Sequence, residues 1–198
     1  MIIHISGFSG SGKSTLGEKL QSIYGNKVVV YDTDEFIQHH TKEGKQLLKI
    51  ESEIKKGIKT SKDHKILWRK TIKNKINEFV MEHKNKIIIF VGSLDNFSYD
   101  GEIYKINADH KIVLDIKIEE LLKRYYLRIA QRDLKGDTNN YNSKNYWKNV
   151  ANGMYNISSS EYIIKECKKY NEWHKKNGYI FMADDKIIKY IKKILNNT

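Results

Sequence analysis

The chain of 198 residues contains no proline, a single cysteine and only four arginines among its 36 basic residues. With Cys167 alone, an internal disulfide is excluded, and so is a metal site built from thiolates. No apolar run is long enough to span a bilayer. The opening MIIHIS is short, lacks a basic flank and leads directly into glycines, so it reads as neither a signal peptide nor an anchor. A cytoplasmic protein with no membrane partner is expected. No Gly/Ser linker, repeat or low-complexity tract divides the chain, and one domain over 1–198 is expected.

What is abundant is lysine, asparagine and isoleucine, with a formal net charge of +12. A basic chain can signal a nucleic-acid partner. Here lysine, not arginine, carries most of the charge, and proline is missing, which is the pattern of AT-rich codons. A solvated basic surface is favoured over a polyanion-binding patch, so nucleic acid is a possible partner but not the favoured one.

Strands and helices alternate, which points to an α/β fold with a parallel sheet. Met1 to Ser6 reads as the first strand. Lys13 to Tyr24 reads as a helix with Leu16, Leu20 and Ile23 on one face. Val28 to Tyr31 and Ile87 to Val91 read as buried strands, and Lys111 to Leu114 as another. Residues 35 to 84 read as helical in two or three pieces, broken near Gly57 and Thr60–Ser61. Glu119 to Arg132 reads as a helix, and Asp133 to Asn149 as a polar loop or lid. Ser158 and Glu161 form a capping box opening a helix to Lys176. Gly178 to Met182 reads as a last strand, and Asp184 to Leu195 as a closing amphipathic helix.

Gly7-Phe8-Ser9-Gly10-Ser11-Gly12-Lys13-Ser14 fits the pattern G-x-x-x-x-G-K-S/T without a mismatch. It lies between an apolar strand and an amphipathic helix, where glycines let successive amides turn into one concavity. The helix start adds unpaired N–H donors and a positive dipole end. This loop predicts binding of ATP with Mg²⁺. Lys13 would reach the outer phosphates, Ser14 would ligate the metal and Thr15 could reach the α-phosphate. A GTPase is disfavoured: Asp133-Leu134-Lys135-Gly136 matches D-x-x-G by letter but follows a helix, and no N-K-x-D occurs.

The second strand runs into Asp32-Thr33-Asp34-Glu35, at the strand ends where α/β sheets bind ligands. On extended backbone Asp32 and Asp34 point to one side. Asp32 could support the metal, and Asp34 could orient or deprotonate an attacking hydroxyl. Alternatively, Thr33 or Asp34 caps the next helix.

The phosphate loop with Asp32-Thr33-Asp34, and Ile112 to Ile116 followed by Glu119 to Arg124, resembles the shikimate kinase, gluconate kinase and nucleoside monophosphate kinase group of P-loop kinases. That resemblance implies a three-layer fold. Its five-stranded parallel sheet would have the order 2-3-1-4-5, with helices on both faces, a lid over about 133–149 and an acceptor-binding segment over about 35–70.

Arg124, Arg128 and Arg132 stand at i, i+4 and i+8, on one helix face. Guanidinium groups stay charged when desolvated and grip phosphate oxygens in a fork. The resemblance implies arginines near the lid that clamp the transferring phosphoryl group, with Arg128 and Arg132 nearest it. Alternatively the three lie on a solvated face, with Glu120 pairing Arg124. Trp68-Arg69 is similar to the aromatic–arginine pair of shikimate kinases. However, Val91-Gly92-Ser93-Leu94-Asp95 stands where those enzymes carry three glycines, and the lid lacks their Arg-Pro pair. Gly92 and Asp95 could approach the acceptor. Phe36, Trp68 and Tyr99 could stack on a base, with Arg69 gripping its phosphate. A nucleoside or nucleotide acceptor is favoured slightly over a sugar acid or polyol. A polynucleotide 5′-end is a further alternative, suggested loosely by Asp34-Glu35, as is a nucleic-acid-binding P-loop protein that is not a kinase. His39-His40 face different directions on a helix, and the aromatics Tyr125, Tyr126, Trp147, Tyr155 and Trp173 read as packing.

Overall fold

The computed structural model describes residues 1–33, 42–92, 106–124 and 160–197. Expectations placed on Asp34, Phe36, His39-His40, Asp95, Tyr99, Tyr125, Tyr126, Arg128, Arg132, the lid segment 133–149, Tyr155 and the Ser158 capping box lie outside these residues, as does the Trp68 side chain.

Five strands, β1 (Ile2–Ser6), β2 (Val28–Asp32), β3 (Ile87–Val91), β4 (His110–Leu114) and β5 (Ile180–Met182), form one sheet. Its order is β2-β3-β1-β4-β5 and every pairing is parallel, as the resemblance implies. Parallel neighbours require crossover connections. The helices are α1 (Lys13–Tyr24), α2 (Lys42–Lys55), α3 (Ser61–Glu82), α4 (described over 118–124) and α5 (Ser160–Lys176), which lie between strands, and α6 (Asp184–Asn196), which follows the last strand.

The period-two alternation of the strands sorts the core into two layers. Ile3 and Ile5 of β1 and Ile87, Ile89 and Val91 of β3 face Leu16 and Leu20 of α1 and Ile187 and Ile191 of α6. On the opposite face, Ile88 and Phe90 meet Ile72 and Ile76 of α3. Phe79 of α3 also stacks between Tyr31 and Phe90, with ring centroids 4.6 and 5.7 Å away. All five residues of β3 are buried, as its unbroken apolar run requires.

Two sequence expectations need correction. In β2 only Val28 is buried, because β2 is an edge strand whose apolar run is covered by β3 on one side only. In α1, Ile23 is 49% exposed. The buried stripe runs through Leu16, Gly17 and Leu20, with Tyr24 packed beside it, which leaves Ile23 at its rim. Gly17 lets this helix sit close to the sheet: a Cβ there would come within 3.1 Å of methyls of Val30 and Val91. The break between α2 and α3 falls where it was expected, at a Gly57 with φ of 72°. Among the described residues, no helix is long and apolar enough to cross a membrane.

Candidate functional site: a phosphate loop at the strand ends

The site gathers at the carboxyl edge of the sheet, where β1 delivers Gly7 and α1 begins at Lys13. Between them the chain makes a tight curl. Ser11 N–H donates to the Phe8 carbonyl at 3.0 Å. Gly10 and Gly12 take φ of 84° and 96°, conformations that side chains disfavour. Gly7 is needed for a different reason. A Cβ there would lie 2.6 Å from Ser11 Oγ and 3.2 Å from Lys13 Cγ, inside the curl itself.

The helix start is left open for a ligand. Gly12 occupies the N-cap position in a left-handed conformation, no side chain caps the first turn, and no acidic residue sits in it. Amides that a Ser or Asp cap would occupy thus face the loop with the positive end of the helix dipole. The Ser11 hydroxyl is buried with no hydrogen-bond partner among the described residues. Lys13 folds back over the curl, donating to the Phe8 carbonyl at 3.2 Å. Its side chain is half-buried. Ser9, Ser14 and Thr15 are exposed.

Ser14 of α1 and Asp32, the last residue of β2, touch. The Ser14 hydroxyl donates to Asp32 Oδ2 at 2.6 Å. A hydroxyl and a carboxylate are hard oxygen donors of the kind Mg²⁺ takes, and they lie beside an amide-lined curl suited to phosphate. The residues present therefore fit a magnesium–polyphosphate group.

Arg124 reaches the same loop from α4. Its Nη1 donates to the Ser11 carbonyl at 2.9 Å, and its Nε to Glu120 Oε1 at 2.8 Å. The hydrogen bond from Arg124 holds the Glu120 carboxyl below the usual carboxylate range, helped by the charges of Arg124 and Lys123. The two sequence readings of Arg124 therefore coexist: it pairs with Glu120 and is braced on the phosphate loop. Arg124 also explains part of the demand for glycine at 12, since a Cβ there would lie 2.9 Å from Nη1.

Gly92 follows β3 and its N–H donates to the Ile5 carbonyl at 3.1 Å. Its φ is 145°, and a Cβ would run into Thr33 Oγ1. The missing side chain thus makes room for Thr33. The Thr33 hydroxyl is itself buried without a hydrogen bond among the described residues. Arg69 is half-buried on α3, in the layer across the sheet from α1.

A cluster that the sequence does not advertise lies under the loop. Tyr170 and His174 of α5 are buried, as are His4 and Ser6 of β1 and Tyr179 just before β5. Tyr170 Oη contacts Ser6 Oγ at 2.6 Å and accepts the Gly7 N–H at 2.9 Å. The Phe8 ring meets Tyr170 edge-on, with centroids 5.8 Å apart. The available signal was Tyr170 and His174 at i and i+4 on the face that buries Ile163. Trp173 packs as expected, its ring 4.7 Å from His174.

A family model described as AAA domain matches residues 6–141. Among solved structures, the chain is similar to shikimate kinase from Bacteroides thetaiotaomicron. They share 18% identity with a TM-score of 0.54, over 99% of this chain and 98% of that one. It also resembles shikimate kinase from Acinetobacter baumannii in complex with shikimate (18% identity, TM-score 0.47, 100% and 94% coverage). A third similar structure is deoxyadenosine kinase from M. mycoides with dCMP and dCDP bound (17% identity, TM-score 0.46, both chains fully covered). No curated protein matches by sequence. The sheet order, the phosphate loop at its carboxyl edge and a family match over more than half the chain agree: the chain belongs to the AAA domain family and has the fold of the P-loop small-molecule kinases.

Proposed function

We propose that this protein is an ATP-dependent phosphotransferase that moves the γ-phosphoryl group to a hydroxyl or phosphate of a small acceptor, most suitably a nucleoside or nucleotide. One observation carries the reading. An uncapped helix start, an amide-lined glycine curl, Lys13 and the Ser14–Asp32 pair converge on one edge of the sheet.

The loop amides from Gly7 to Thr15 hold the polyphosphate, and Lys13 swings from the Phe8 carbonyl onto its outer oxygens. Ser14 and Asp32 hold Mg²⁺, which when bound neutralises charge on the phosphates. Asp34 orients the acceptor hydroxyl and takes its proton as the new O–P bond forms and the bond to ADP breaks. Arg124 steadies the loop at Ser11, and Arg128 and Arg132 carry charge to the transferring group. The acceptor lies towards Gly92 and Arg69, with the segments 35–70 and 133–149 of a single domain serving as acceptor site and lid.

The test is an acceptor screen that follows ADP production with ATP and Mg²⁺. Nucleosides or nucleotides should release ADP in a stoichiometric, Lys13-dependent way. A response only to an oligonucleotide 5′-hydroxyl, or only to a sugar acid or polyol, would replace the nucleotide acceptor. No ADP with any of these acceptor classes would contradict phosphotransfer.

A further inference from the structure

We propose that Tyr170 is a positioning residue for the phosphate loop, and that His174 sets the direction of the hydrogen bonds through which it acts. The inference rests on the nucleotide-binding reading above. It starts from the place where β1 turns into the loop. Ser6 ends the strand and is fully buried, and Gly7 opens the curl. Tyr170 contacts both, through its hydroxyl, from α5.

With His174 as the neutral imidazole, the hydrogen bonds among these described residues orient one another. His174 Nδ1 lies 2.8 Å from the Tyr170 carbonyl oxygen, which can only accept. Nδ1 therefore carries the proton. In a neutral imidazole the other nitrogen is then an acceptor. His174 Nε2 lies 3.1 Å from Ser6 Oγ, so the Ser6 hydroxyl donates to it. With its one hydrogen committed, Ser6 Oγ must accept at its 2.6 Å contact with Tyr170, whose O–H is the donor. The Tyr170 oxygen in turn accepts the Gly7 N–H at 2.9 Å. The relay runs from Gly7 through Tyr170 and Ser6 to His174, and closes on the backbone of α5.

The surroundings hold these groups in place. The Tyr170 and His174 rings lie 4.0 Å apart, and Tyr179 meets His174 edge-on at 4.6 Å. Such a buried chain, each link oriented by the next, fixes geometry more sharply than separate bonds would. What it fixes is the amide that begins the phosphate-binding curl.

A neighbouring relay supplies the control. Tyr179 Oη lies 2.8 Å from His4 Nδ1, and His4 Nε2 donates to the Gly92 carbonyl at 3.2 Å. It is equally buried and lies on the same face, but it ends at Gly92 and not at Gly7.

The experiment measures Mg–ADP affinity by calorimetry for the full chain and for Tyr170→Phe and Tyr179→Phe, with thermal melts of each. Tyr170→Phe should bind about threefold to tenfold more weakly, the worth of one buried hydrogen bond. Tyr179→Phe should keep wild-type affinity even where its melting temperature falls. Should Tyr170→Phe not fold, Ser6→Ala, which keeps the ring packing, should show the same direction of loss. In the wild-type protein, ¹⁵N spectra of the histidine rings should report His174 as the Nδ1–H tautomer, assigned by its loss in His174→Asn. Wild-type affinity in Tyr170→Phe, equal losses in both tyrosine variants, or an Nε2–H tautomer would each overturn the proposal. Failure of the wild-type chain to bind Mg–ADP would instead overturn the nucleotide-binding reading itself.

Discussion

The Ser14 hydroxyl donates to the Asp32 carboxylate at 2.6 Å, joining the first turn of α1 to the last residue of β2. These residues are 18 positions apart in sequence, and only the parallel sheet and its crossover bring them together. The contact places a hydroxyl and a carboxylate beside the phosphate curl.

Asp32→Ala should therefore separate metal-dependent from metal-independent binding. Nucleotide affinity with Mg²⁺ should fall about tenfold to a hundredfold, while affinity in EDTA stays near wild type. Calorimetry in the two buffers measures this. An equal fall in both would mean that Asp32 holds the loop and not the metal.

Gly92 and Thr33 should be coupled. Gly92→Ala adds a Cβ against Thr33 Oγ1 on a backbone with φ of 145°. It should cost about 1–3 kcal/mol in chemical denaturation. Thr33→Val, which removes a buried hydroxyl without a hydrogen-bond partner among the described residues, should be neutral or slightly stabilising. A loss above about 1 kcal/mol in Thr33→Val would show that the hydroxyl has a partner when the protein is in solution.

The architecture was legible because its signals are local. The five-residue run IIIFV, the glycine loop and the alternation of strands with amphipathic helices specify a parallel sheet, and the sheet fixes which strand ends meet. The loop's residues could be named from their pattern, because successive amides must follow one another in sequence. Asp32 could be placed near the loop because α/β sheets bind ligands at their strand ends, but its hydrogen bond with Ser14 emerges only from the packed sheet. The support beneath the loop could not. Tyr170 and His174 lie more than 160 positions from Ser6, and nothing in a lysine-rich amphipathic helix says that its two buried polar rings meet β1. Ile23 misled because the spacing 16, 20, 23 lies within a helical stripe, whereas the actual contact surface is centred nearer Gly17. β2 misled because an apolar run says that a strand is covered, but not from how many sides.

The closing helix should carry much of the stability of the face that holds α1. Ile187 and Ile191 are fully buried against β1, β3 and α1, whereas Lys189 points outward. Ile187→Ala should cost about 2–5 kcal/mol and Lys189→Ala under about 0.5 kcal/mol. Equal denaturation midpoints for the two variants would contradict this packing.

Cys167 should be a slow thiol. Burial pushes its pKa up, and the Asp115 carboxylate adds a smaller push in the same direction. Since the thiolate is the reactive form, alkylation at neutral pH should be slower than for a free cysteine. The rate should keep rising above the pH at which an ordinary thiol levels off, and unfolding should accelerate it. A rate matching that of free cysteine across the pH range would contradict the burial.

The most direct test of the account is calorimetric titration of Mg–ATP, in a non-hydrolysable form, into the wild-type chain and into Lys13→Ala. The account predicts saturable binding of one nucleotide per chain, and at least a tenfold loss (about 1.4 kcal/mol) in a variant whose melting curve is otherwise unchanged. Absent or non-saturable binding by the wild-type chain, or equal binding by a folded Lys13→Ala, would contradict it.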